Sequence, residues 1–347
     1  MILEEETPNL RFVYGDQLIN ERALVENVLS QGEKRALYLL NIIFEVEIRK
    51  KLKQKTLFII DDIADSFDYQ NKYAIIEYLR DIIAEDIFFQ IILTHNYDFY
   101  RTVSERLLKK GKYHRDCKLY ALKLQDKIEL KKEKYQNNPF EHWKKNLDKP
   151  AMLISLIPFA RNLIEYCKGT SDTEYLKLTS LLHVMKETET LKIKDLTLCI
   201  NSIILDIEQN QIGQNELEKI VLDVIYDTAK DIAKSNEESL ELENKIVLSI
   251  AIRLKTEFFL IKKINEINKI EGTDSVIKEV KTNQTIKLIE QYKNMFPNEI
   301  EYHELLNKVI LMTPENIHLN SFMYEPIIDM SSKKFKDIYN AIINKLI

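Results

Sequence analysis

The chain has 347 residues, 45% of them hydrophobic and 30% charged, with a formal net charge of -5. That length and balance support a buried core and two domains, and they leave no overall basic field to recruit nucleic acid, so any such site must be local. Three cysteines, Cys117, Cys167 and Cys199, odd in number and without C-x-x-C spacing, argue against a disulfide framework and a zinc site and fit a reducing cytoplasm.

Residues 1–9, MILEEETPN, are acidic where a signal peptide would be basic and then apolar, and no run of about eighteen apolar residues occurs. A cytoplasmic protein with no membrane partner is expected. The first strong element is VLSQGEKRALYLL, residues 28–40. Ser30 and Glu33 form a Ser-x-x-Glu capping box, and the helix over 33–53 carries Leu37, Leu40, Phe44 and Ile48 on one face. Gly32 sits inside the first turn, where a helix gains nothing from it. Free N–H groups and the dipole at a helix N-terminus favour an anion, and a glycine lets a phosphate approach, so Ser30, Gln31, Gly32 and Glu33 are candidate phosphate contacts. A plain cap on a core helix is the competing reading.

Two apolar strands follow. TLFIID (56–61) ends in Asp61 and Asp62, where a buried strand delivers carboxylates to the C-terminal edge of a sheet and Mg²⁺ can be held. ADSFD (64–68) is a polar turn ending in Asp68. A helix over 70–85 then carries Ile75, Ile76, Leu79, Ile82 and Ile83, and the strand FFQIILT (88–94) sets His95 at its C-terminal edge. Strands are also expected at CKLYALKL (117–124) and KIEL (127–130). Between them, RLLKKGKYHRDCK (106–118) concentrates basic side chains around Tyr113, a pattern able to meet phosphates but more common as a solvated loop.

The character changes after residue 130. KKEKYQNNPFEHWKKNLDKP (131–150) is polar and bracketed by Pro139 and Pro150, and reads as a linker. From 151 to 347 long helical patterns dominate, as in ENKIVLSIAIRLKTEFFLIKKINEI (243–267), with no internal repeat.

In order, residues 1–130 hold Ser-x-Gly-Glu-Lys opening a helix, a strand ending in Asp-Asp, a Ser-Phe-Asp turn, and a strand ending in Thr-His-Asn. This series resembles the C-terminal half of an ABC-type ATPase head. It is most similar to bacterial AAA-family ATPases with SMC- or Rad50-like heads, including the PrrC/RloC-type anticodon nucleases. The resemblance implies an α/β fold, a partial sheet with flanking helices, followed by a mostly α-helical domain. It implies that Ser30 to Glu33 match the signature motif, Asp61 the Walker B ligand of Mg²⁺, Asp62 the general base, Asp68 the D-loop, and His95 the switch histidine sensing the γ-phosphate of ATP. Ile63 and Phe67 depart from the usual proline and leucine of the family's "DDP-x-SS-x-D" run, which changes turn stiffness and packing rather than chemistry.

No G-x-x-x-x-G-K-[ST] loop occurs among the six glycines, at 15, 32, 111, 169, 213 and 272. ATP and Mg²⁺ are therefore expected to bind with a Walker A-bearing half or a second ABC-type head. A fragment, a split gene and a degenerate ATPase all remain open. In the nuclease relatives an Arg-x-x-x-Glu pair and a downstream histidine cut tRNA in phage defence, and the resemblance points here to Arg161, Glu165 and His318, with His303 and His183 as competitors and His183 the more core-like. An ordinary i,i+4 ion pair at 161 and 165 is the structural alternative, since Arg253 and Glu257 repeat the spacing. A rival reading for the whole chain is a non-catalytic scaffold that lends its signature helix to a partner's ATP site.

Overall fold

The computed structural model describes residues 12–14, 17–19, 30–63, 69–108, 117–123, 127–135, 138–204, 211–235, 242–268, 283–312 and 330–346. The chain forms two units, residues 1–114 and 115–347.

The first unit opens with a small antiparallel hairpin, β1 (Phe12–Tyr14) and β2 (Gln17–Ile19), in the register Phe12 to Ile19 and Tyr14 to Gln17. Helix α1 (Gln31–Lys51) follows, then β3 (Thr56–Asp61), α2 (Tyr69–Ile83), β4 (Phe88–Leu93) and α3 (Tyr97–Leu107). Strands β3 and β4 pair in parallel, Thr56 opposite Phe88 and Asp61 opposite Leu93. Their C-terminal ends therefore lie side by side. Phe58, Ile60, Phe88 and Ile92 point to one face, where Val46 of α1, Ile76, Leu79 and Ile82 of α2 and Phe99 of α3 bury them. Asn96 caps α3 by accepting the Phe99 N–H at 2.9 Å, which fixes where that helix starts, directly after His95.

The second unit begins with a hairpin, β5 (Leu119–Lys123) and β6 (Ile128–Lys132), and is otherwise helical. Its helices are α4 (Pro139–Lys144), α5 (Pro150–Lys168), α6 (Thr173–Thr179), α7 (Ile193–Asn201), α8 (Gln214–Leu217), α9 (Val221–Lys234), α10 (Leu242–Asn268), α11 (Gln284–Met295), α12 (Ile300–Met312) and α13 (Ser332–Leu346). Helix α10 is the axis, apolar around most of its circumference because α5, α9, α11, α12 and α13 all pack on it. Gly169 ends α5 at φ 88°, a left-handed conformation open to glycine, and its N–H returns to the carbonyls of Ile164 and Glu165.

The stretch 131–150 differs from a simple linker. Asn138 and Pro139 start α4, and Trp143 and Leu147 are buried in the core of the helical unit. Glu243 at the start of α10 holds Trp143 in place, accepting its indole N–H at 3.2 Å and also the Tyr135 hydroxyl. A single aromatic outweighs its polar neighbours because burying it gains far more than any of them loses. Among the described residues no helix is long and apolar enough to cross a membrane.

Candidate nucleotide site

The parallel register carries Asp61 to the last position of β3 and His95 to the second residue beyond β4. Asp62 continues the β3 ladder, donating its N–H to the Leu93 carbonyl at 3.0 Å, and then leaves it at φ 45°. Aspartate tolerates that left-handed conformation better than most residues, and here the conformation turns the carboxylate across to the neighbouring strand end. One Asp62 oxygen accepts the His95 backbone N–H at 3.1 Å, and the other lies 2.9 Å from His95 Nδ1. Partial burial pushes the Asp62 carboxyl up, but the His95 backbone N–H, its imidazole and the Thr94 hydroxyl outweigh it and hold the group below the usual carboxylate range. Asp62 is ionised at neutral pH.

Asp61 points the other way, exposed, and its carboxylate takes no hydrogen bond among the described residues. Mg²⁺ is commonly held by one or two protein carboxylates together with substrate phosphates, so Asp61 suits it. Among the described residues no group of three or more His, Cys, Asp or Glu side chains gathers to hold a metal unaided. Ser30 is exposed, immediately before α1, and its carbonyl accepts the Lys34 N–H at 3.0 Å. Residues 31–33 are the first helical ones, but the side chains of Gln31 and Glu33 and the surroundings of Gly32 lie outside what is described, as does Asp68 with the whole of 64–68.

A protein-family model described as an AAA domain matches residues 14–147. These residues form an AAA-family ATPase-like region. The match spans less than half of the chain, and runs past the first unit to include β5, β6 and α4. No curated protein and no solved structure matches the chain.

In the helical unit, Arg161 and Glu165 do meet, at 3.0 Å. Arg161 is buried, and its guanidinium also donates to Thr179 Oγ1 at 3.2 Å, Asn162 Oδ1 at 2.9 Å and the Tyr175 hydroxyl, while lying over the Tyr175 ring. Most of its five N–H donors are engaged, and the bonds to Thr179 and Tyr175 tie α5 to α6. His318 lies outside the described residues. His183 is turned inward, its Nδ1 2.7 Å from Glu257 of α10, and His303 Nε2 lies 2.9 Å from the Phe296 carbonyl. The basic run at 106–118 is described only at its ends. There Arg106 pairs with Glu77 and Lys118 lies 3.7 Å from Glu133, so both are engaged within the chain.

Glu257 is the buried group that spacing alone did not single out. It sits in the middle of the central helix α10, and instead of serving an i,i+4 pair with Arg253 it gathers donors from two distant segments, His183 with Val184 and Gln284 with Thr285. A lone acid in an apolar run is the signal that marks such a position.

Proposed function

We propose that residues 1–130 supply the Walker B and switch-histidine side of a composite ATP site, completed by a Walker A-bearing half or a second ABC-type head, within a bacterial defence or stress ATPase. The single observation that carries this is the Asp62–His95 contact at the shared edge of β3 and β4, with Asp61 exposed beside it. Asp61 is the residue to hold Mg²⁺, which would supply charge neutralisation at the β- and γ-phosphates. Asp62, ionised and oriented by His95, is placed to orient an attacking water and accept its proton. His95, fixed through Nδ1, presents the rest of its exposed ring to the same edge, where a γ-phosphate contact would link nucleotide state to the start of α3. Ser30, exposed ahead of α1, supports the signature role.

The test follows from the missing cradle. Without P-loop amides and lysine most of the phosphate charge is unmet, so the chain alone should bind Mg-ATP weakly or not at all by isothermal titration. Adding a purified P-loop half should restore turnover. Ser30→Arg should leave folding nearly intact, losing at most about 1 kcal/mol with the cap, yet block that restoration. Micromolar affinity for the chain alone, or full turnover with Ser30→Arg, would refute the reading.

For the helical unit, the Arg161 network favours a scaffold over a tRNA-cleaving effector. A guanidinium stabilises a phosphorane only with donors aimed at it, whereas Arg161 spends its donors on Thr179, Asn162, Glu165 and Tyr175. Arg161→Ala should then destabilise the unit by about 2 kcal/mol, and the wild-type chain incubated with total tRNA should yield no anticodon-sized fragments on a denaturing gel. Cleavage lost in Arg161→Lys at unchanged stability would establish the effector instead.

A further inference from the structure

We propose that Lys255 is a modification site, an amine held half-buried on the Tyr226 ring between α9 and α10 and open to acylation by a small acyl phosphate.

Lys255 lies on α10 between Leu254 and Thr256, which are fully buried, and is itself half-buried. Its Nζ rests over the Tyr226 ring of α9, 3.7 Å from the centroid. That ring attracts an ammonium and keeps the side chain against α9, but it is not an anion. Among the described residues Lys255 pairs with no carboxylate, whereas Lys168 reaches Glu174 at 2.5 Å and Lys192 reaches Glu218 at 2.7 Å. Burial therefore holds Lys255 below the ordinary lysine value, while the hydrogen bonds to Glu174 and Glu218 hold Lys168 and Lys192 above it. The free amine is the nucleophile, and Lys255 carries more of it than the paired lysines do.

The surroundings suit the product better than the reactant. The Tyr226 hydroxyl is buried and has no hydrogen-bond partner among the described residues, a costly state for a polar atom. An ammonium offers no acceptor for the hydroxyl proton. An acylated Nζ brings a carbonyl over the same ring, on a neutral amide that costs less to bury than a charge. This selects acyl transfer over methylation, which keeps the charge and adds no acceptor. Phe258 and Phe259, one turn along the same face of α10, are half-buried as well. Solvent thus reaches this side of the helix, and a small donor fits where a bulky one does not.

In the reaction the Nζ lone pair attacks the carbonyl carbon of the acyl phosphate and an N–C bond forms. The tetrahedral oxyanion collapses, the bond from that carbon to the phosphate oxygen breaks, and inorganic phosphate leaves with the electron pair and takes up the amine proton. Nothing is oxidised or reduced.

The experiment incubates the full chain with acetyl phosphate at mildly alkaline pH and follows acetylation of each lysine by peptide mass spectrometry. Lys255 should react about tenfold faster than Lys168 and Lys192, the ratio of free amine expected of a desolvated lysine against paired ones, and in urea the three should react alike. A Lys255 rate at or below theirs overturns the proposal, and so does a lead that persists in urea, because it would then lie in local sequence rather than in the fold. Lys255→Gln, which carries a carbonyl and no charge, should raise the urea midpoint of the helical unit, and should raise it less in a Tyr226→Phe background. A midpoint lowered by Lys255→Gln shows that the site prefers the ammonium and overturns the proposal as well.

Discussion

Glu257→Ala should be the most destabilising single substitution in the helical unit, lowering its stability by about 3–5 kcal/mol, while Glu257→Gln should lose only about 1 kcal/mol. The carboxylate is fully buried. One oxygen accepts from His183 Nδ1 at 2.7 Å and Thr285 Oγ1 at 2.6 Å, and the other accepts the Val184 N–H at 2.7 Å and Gln284 Nε2 at 2.9 Å. Alanine strands all four donors and opens a cavity. Glutamine has an orientation that satisfies the set: its carbonyl faces Val184 and Gln284, which can only donate there, and its NH₂ faces His183 and Thr285. A neutral imidazole can present an acceptor nitrogen, and a hydroxyl can rotate to accept. With a typical domain stable by only about 5–15 kcal/mol, the alanine variant should melt early or fail to accumulate, and urea unfolding of both variants checks the ordering.

The same carboxylate sets a pH dependence. Burial pushes the Glu257 carboxyl up, but the His183 charge and hydrogen bond, with Thr285 and Val184, outweigh it and hold the group below its ordinary value of 4.5. A carboxyl depressed in the folded state contributes stability that is present above the unfolded value and lost as pH falls towards the folded one. Unfolding free energy should therefore decline below about pH 4.5 in the wild type, and Glu257→Gln should flatten that decline.

How much of this was legible depends on the range of the interactions. Strands β3 and β4 stand out because TLFIID and FFQIIL are apolar runs ended by polar residues, and the observed limits 56–61 and 88–93 lie within a residue of those expected. The Asp62–His95 contact follows once the two strands are known to be parallel, but the left-handed turn at Asp62 that makes it is not written in any local pattern. The β1–β2 hairpin escapes notice because three-residue strands carry too few alternations, although they flank Gly15-Asp16, a pair common in two-residue hairpin loops. Trp143 and Glu243 are 100 residues apart, and His183 and Glu257 are 74 apart. Composition near Trp143 reads as connection, and composition near His183 reads as core, since neither sequence neighbourhood contains the partner that fixes the role.

Asp62→Asn should reduce ATP turnover of the chain assembled with a P-loop half by about 10²–10⁴-fold, the usual contribution of a positioned general base, with nucleotide affinity little changed. Asparagine retains an oxygen for the His95 N–H, so the strand ends keep their alignment and the loss falls on kcat rather than on binding. Asp61→Asn should behave oppositely. Its carboxylate is the exposed one, so removing its charge should weaken Mg²⁺-dependent nucleotide affinity first. His95→Ala separates the two further: it removes the Nδ1 contact at 2.9 Å that orients Asp62, and turnover should fall while Mg²⁺-dependent nucleotide affinity is kept. Steady-state ATPase measurements paired with fluorescent-nucleotide binding, with and without Mg²⁺, distinguish these patterns. If Asp62→Asn loses affinity as steeply as turnover, then Asp62 is a structural clasp for His95, and the proton acceptor must come from the partner that supplies the phosphate cradle.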